Sequence, residues 1–107
     1  MARTLLRVPA SAAPGEVVEI RTLIQHPMET GFRPGENGAL HPRDIIRRFI
    51  CLYNNRPVFD AELHPAIAAN PFLSFTALAT ESGTLTFTWR GDNGFAQTET
   101  RAITVTV

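Results

Sequence analysis

The stretch "EVVEIRTLIQ" (16–25) places Val18, Ile20, Thr22 and Ile24 on one side of an extended chain and Glu19 and Arg21 on the other. A period of two is the mark of a β-strand with one buried face. The pattern recurs between turn signals along the whole chain. "RTLLRV" (3–8) is closed by Pro9 and the Pro14-Gly15 pair. "FLSFTALA" (72–79) is followed by "TESG" and then by "TLTFTWR" (84–90), with Leu85, Phe87 and Trp89 inward and Thr84, Thr86 and Thr88 outward. "GDNG" (91–94) reads as a hairpin turn, and the final segment 95–107 turns Ile103, Val105 and Val107 inward. "HPAIAANP" (64–71) is a turn-rich connection with room for a single helical turn.

Residues 43–63 admit two readings. Ile45, Phe49 and Leu52 form a helical stripe, and Pro42 suits a helix start. Yet Ile45, Phe49, Cys51 and Tyr53 also alternate, and Asn54-Asn55 suits a tight turn into "PVFDAEL". Strand is the expectation. Seven short strands in 107 residues then predict an all-β fold, an immunoglobulin-like antiparallel β-sandwich forming one domain over 1–107. The exception to the rhythm is 26–44, where "RPGENG" supplies turn chemistry inside an excursion longer than most connections in a small domain.

Composition removes several function classes. Ten basic residues balance ten acidic ones, so no charge excess points to nucleic acid or an anionic membrane. All ten are arginine, which excludes lysine Schiff-base chemistry and Walker-type phosphate binding. No apolar run approaches the roughly 20 residues that span a bilayer. "MARTLLRVPASAAPGE" lacks the apolar core of about 7–15 residues that a secretory signal needs, so the residues alone predict a cytoplasmic protein.

The remaining candidates for chemistry are few. His26, His41 and His64 each precede a proline, at intervals of 15 and 23 residues. Metal sites usually draw two ligands from one local motif, whereas proline holds its preceding residue extended and explains these pairs as strand ends and loop starts. No metal and no cofactor is expected, although three loops of a sandwich can converge at one end. Cys51, the single cysteine, stands between Ile50 and Leu52 and reads as a buried, inert thiol, with a reactive or intermolecular thiol as the alternative. No Gly-x-Ser-x-Gly elbow exists. Arg43, Arg47 and Arg48 form a basic cluster, read as a solvated edge or as a surface for an acidic partner. No catalytic residues are expected.

A surface for another protein is the better-founded expectation. In 45–52 both strand faces are apolar, with Phe49 and Cys51 on one and Ile46, Ile50 and Leu52 on the other. A two-layer sandwich buries only one face of each strand, so the second face calls for a covering loop or subunit. Met28 and Phe32, in the loop after His26, either cap the chain's own core or extend that surface.

"HPMETG", "IIRRF", "LHPAIAANPFLSF" and "ATESGTLTFTW" together resemble the SoxZ family, the Z subunits of the SoxYZ carrier complex of thiosulfate oxidation, over nearly the whole chain. The resemblance implies an immunoglobulin-like sandwich that pairs with SoxY and meets other Sox enzymes transiently, and the second apolar face is expected to drive self-association when SoxY is absent. The resemblance also implies that sulfur intermediates ride on a cysteine in a glycine-rich SoxY tail. It reverses the localisation read from the residues alone, implying a periplasmic protein without its own signal peptide, exported together with SoxY. This chain ends in "TRAITVTV", a strand, so its own thiol is not such an arm. His26-Pro27-Met28 is also similar to a motif of superoxide reductases of the desulfoferrodoxin type. Their iron takes four histidines and one cysteine, one histidine more than this chain holds.

Overall fold

The computed structural model describes residues 2–106 and contains two sheets. The strands are β1 (Thr4–Arg7), β2 (Ser11–Ala12), β3 (Val17–Ile24), β4 (Ile46–Tyr53), β5 (Arg56–Glu62), β6 (Phe72–Leu78), β7 (Gly83–Gly91) and β8 (Ala96–Val105). A three-stranded sheet has the order β1-β3-β6 and a five-stranded sheet the order β2-β8-β7-β4-β5. The seven expected segments are all strands. The addition is two-residue β2, which lies parallel to β8, whereas every other pair is antiparallel. The ambiguous 43–63 region is the β4–β5 hairpin, turned by Asn54 and Asn55 at φ of 48° and 68°. Asparagine is the non-glycine residue that tolerates this left-handed backbone best.

Alternation becomes packing directly. Val18, Ile20, Thr22 and Ile24 of β3 are buried, as are Leu85, Phe87 and Trp89 of β7. Ile103 is buried and Val105 packs at the margin of the same core, while Val107 lies outside the described residues. Aromatic rings join the two layers. Phe75 of β6 lies 6.0 Å from Phe49 of β4, and stacks on Phe59 of β5 at 4.4 Å with planes 7° apart. The molecule is therefore a β-sandwich whose centre is an aromatic cluster under β4.

One expectation about β4 needs correction. Ile46 lies on the inward face with no exposure, not on the outer face beside Ile50 and Leu52. The cause is a β-bulge: Ile46 pairs with Gly91 and Arg48 with Arg90, so Arg47 has no partner of its own. An inserted residue shifts the pleat by one and brings Ile46 and Phe49 to the same side. Close approach at this point requires a glycine, since a Cβ on Gly91 would sit 2.5 Å from the Ile45 carbonyl oxygen.

The 26–44 excursion is a narrow hairpin, held by bridges between Glu29 and Asp44 and between Pro34 and Leu40. It is exposed nearly throughout from Phe32 to Leu40.

Candidate functional site

The root of that hairpin is built around His26. Its ring is buried, with Nδ1 accepting the Met28 N–H at 3.0 Å and its edge against Phe95 at 5.1 Å. The His26 N–H donates to Asn70 Oδ1 at 2.9 Å. Burial lowers the His26 pKa from its ordinary value, against the opposing pull of Asp44 and Asp92. Met28, at φ 51°, turns its side chain under the sheet, where its Sδ accepts the Ile46 N–H at 3.2 Å. Met28 thus caps the chain's own core. Phe32 does the reverse, standing 76% exposed on the hairpin. The two residues that the sequence reading treated as a pair have separate roles.

The histidines do not converge. His26 is buried, His41 is on the hairpin, and His64 is exposed in the connection between β5 and β6. Among the described residues no three of His, Cys, Asp or Glu gather as metal ligands. Cys51 has no exposure, and burial pushes its thiol up to about 12. Such a group stays a neutral thiol at physiological pH and is a poor nucleophile.

Ile50 and Leu52 are half-buried on the outer face of the five-stranded sheet. Ile50 registers with Thr88, which registers with Thr98; Leu52 registers with Thr86, which registers with Thr100. The Thr88 and Thr98 hydroxyls are hydrogen-bonded at 3.2 Å. The centre of this face is therefore uncharged and built of small or branched side chains. Charge returns on the β5 side, where Asp60 registers with Ile50 and bonds Arg48 at 3.0 and 2.7 Å. Flat, neutral sheet faces with charged margins have the layout of protein contact surfaces.

Sequence reasoning missed a second row. Leu5, Leu23 and Phe72 are cross-strand neighbours on the outer face of the three-stranded sheet, with Leu5 and Phe72 exposed. The signal was available, as each is apolar at the position where its strand's alternation calls for a polar residue. The arginine cluster is also larger than it reads. Arg43 and Arg47 both pair with Asp92, and Arg90 and His64 join them around one cleft.

No curated protein matches the sequence at a significant level. Among solved structures, the sulfur carrier protein SoxY from Chlorobium limicola f thiosulfatophilum aligns with TM-score 0.69 and 13% identity, over 97% of this chain and 79% of that one. A superoxide reductase (neelaredoxin) from Ignicoccus hospitalis aligns with TM-score 0.74 and 15% identity, over 98% and 82%. A putative superoxide reductase from Thermotoga maritima aligns with TM-score 0.69 and 17% identity, over 97% and 86%. At these identities the three share a fold with this chain, and the fold alone does not separate carrier subunit from reductase. The sequence does: the family described as sulphur oxidation protein SoxZ matches residues 6–102, and the chain belongs to the SoxZ family, a subunit of the Sox sulfur carrier complex.

Proposed function

We propose that this chain is the non-catalytic half of a periplasmic SoxYZ heterodimer, in which SoxY supplies the cysteine that carries sulfur intermediates. The observation that carries this reading is the burial of Cys51 at the centre of β4, with its thiol pushed up to about 12. A group that takes up and hands over sulfur must be an accessible thiolate. In a sulfur-oxidising complex the carrying thiol then belongs to another chain, and this chain's contribution is to hold and present it. Support for a partner surface comes from the neutral outer face around Ile50 and Leu52 and from exposed Phe32. Met28 and Ile46 are buried in the chain's own core and are not part of that surface. Periplasmic placement rests on family membership. It predicts that the chain is recovered with SoxY in the periplasmic fraction when the two are co-expressed, read by cell fractionation.

The test of the non-catalytic role is Cys51→Ala in the reconstituted complex. Thiosulfate turnover should be unchanged, and the native wild-type thiol should alkylate slowly until denaturant is added. A cavity of this size costs about 1–2 kcal/mol of stability. Lost turnover in a folded, SoxY-bound variant would overturn the assignment.

A further inference from the structure

We propose that the arginine-lined cleft at the start of β4 binds a small sulfur oxyanion, inorganic thiosulfate or sulfate, or the S-sulfonate of a protein thiol. The cleft has a volume of about 360 Å³, and Arg43, Arg47, Arg48, Arg90 and His64 line it over the side chains of Ile45 and Leu63. The β-bulge assembles it. With Arg47 left unpaired, Arg47 and Arg48 are both exposed, and Arg48 comes opposite Arg90 in the strand register. Like charges directly opposite on a sheet repel, so this arrangement needs a counter-charge.

The chain meets that need only in part. Asp92 neutralises one of two arginines, bonding Arg43 at 2.8 and 2.9 Å and Arg47 at 3.2 Å. Asp60 neutralises Arg48. Arg90 makes no ion pair among the described residues, and Glu62 is the one carboxylate that itself lines the cleft. Four guanidinium groups against Asp92, Asp60 and Glu62 leave one positive charge uncompensated, in a protein whose formal net charge is zero. Planar guanidinium forks bind oxyanions through paired N–H donors, with a geometry that an ammonium lacks. Asp92 and Asp60 also hold Arg43, Arg47 and Arg48 in place, so little side-chain order has to be created on binding. A tetrahedral sulfur oxyanion, compact and carrying one or two negative charges, is the ligand class that fits. That the ligand is an oxyanion rests on the arginines, and that it is an oxyanion of sulfur rests on the proposed Sox role.

Amide and arginine Nε–H resonances of the full chain, followed during titration, test it. Sodium thiosulfate and sodium sulfate are compared with sodium chloride at matched ionic strength, and a glycine-flanked S-sulfocysteine peptide forms a second arm. Saturable shifts around residues 43–48, 62–65 and 90 are expected with the oxyanions and not with chloride. The source that saturates at the lower concentration is the one the cleft serves. Arg90→Gln should weaken binding by at least about fivefold, the loss of one charge-assisted contact at a solvated site. Arg90→Lys should recover only part of it, and Arg101→Gln, on exposed β8 away from the cleft, should leave binding unchanged. Shifts that stay linear, or that match chloride, or an Arg90→Gln titration identical to wild type in a spectrum that remains folded, would each overturn the proposal.

Discussion

His26 shows what one buried side chain sets. Its Nδ1 is occupied by the Met28 N–H, which orients the turn that sends Met28 inward, and its Nε2 lies 3.8 Å from an Asp44 carboxylate oxygen. Burial outweighs the attraction of Asp44 and Asp92, so the folded state holds the proton less tightly than the unfolded chain. The unfolded state then binds more protons near the ordinary histidine value of 6.5, and stability falls as pH falls through that value. Glu29, Asp60 and Asp92 are shifted down by Arg33, Arg48 and Arg43, so their contributions persist to lower pH and fade through the carboxylate range. Urea denaturation across pH should show two separate declines. His26→Asn keeps an acceptor for the Met28 N–H and cannot titrate, so it should abolish the upper decline and leave the lower one. An unchanged upper decline would place the titrating group elsewhere. At the same scale, Met28 and Phe32 should separate. Met28→Ala opens a cavity and should cost about 2–5 kcal/mol, while Phe32→Ser should leave the isolated chain within about 0.5 kcal/mol of wild type. A melt of each variant decides whether one caps the core and the other does not.

The β4–β5 hairpin fixes its neighbours through Asn54. Asn54 Oδ1 accepts the Thr84 N–H at 2.9 Å, and its Nδ2 donates to the Ser82 carbonyl and to Glu81 Oε1 at 3.3 Å. Tyr53 adds a hydroxyl that donates to the Glu81 carbonyl and accepts the Thr80 and Glu81 N–H groups, tying the hairpin to the segment that crosses between sheets. Space for this is made by Gly83, where a Cβ would lie 1.9 Å from the Asn54 oxygen. Gly83→Ala should therefore expel the Asn54 side chain and cost about 1–3 kcal/mol, the worth of its lost hydrogen bonds. In an Asn54→Gly background the same change should cost much less, because the clash is gone while the turn keeps its left-handed backbone. Equal costs in the two backgrounds would show the clash is relieved by other means. At this scale the strands were legible wherever burial is one-sided, as in β3 and β7, because period two survives into the sequence. Ile46 was not, since a bulge leaves no mark in the hydrophobic pattern until the partner register is known. The Arg47-Arg48 pair is the trace it left: two adjacent charged residues cannot alternate faces in a strand with one buried side without a break in the pleat.

For the whole molecule, the sandwich was readable from turn spacing and alternation, and the family from four short motifs, but the surfaces were not. Which outer face is neutral depends on the strands set side by side, and Thr86, Thr88, Thr98 and Thr100 come together only through the β7–β8 register. The same holds for Arg90, which meets Arg48 across strands 42 positions apart in the chain. The neutral face makes a sharp demand of Ile50. Its side chain points away from the aromatic core, opposite Thr88 on one neighbouring strand and Asp60 on the other. An arginine there should leave the isolated domain folded, with a melting temperature close to wild type, since the new charge reaches water and Asp60 stands beside it. In the proposed heterodimer the same charge would be driven into the contact, where Asp60, its acidic neighbour, is already bonded to Arg48. Burying it unpaired costs several kcal/mol, which weakens a tight complex by about a thousandfold or more. Thermal melting of Ile50→Arg beside a calorimetric titration with SoxY separates the outcomes. A variant that unfolds alone would make Ile50 part of the core; one that folds and binds SoxY as wild type does would move the interface off this face, to the Leu5–Leu23–Phe72 row on the other sheet.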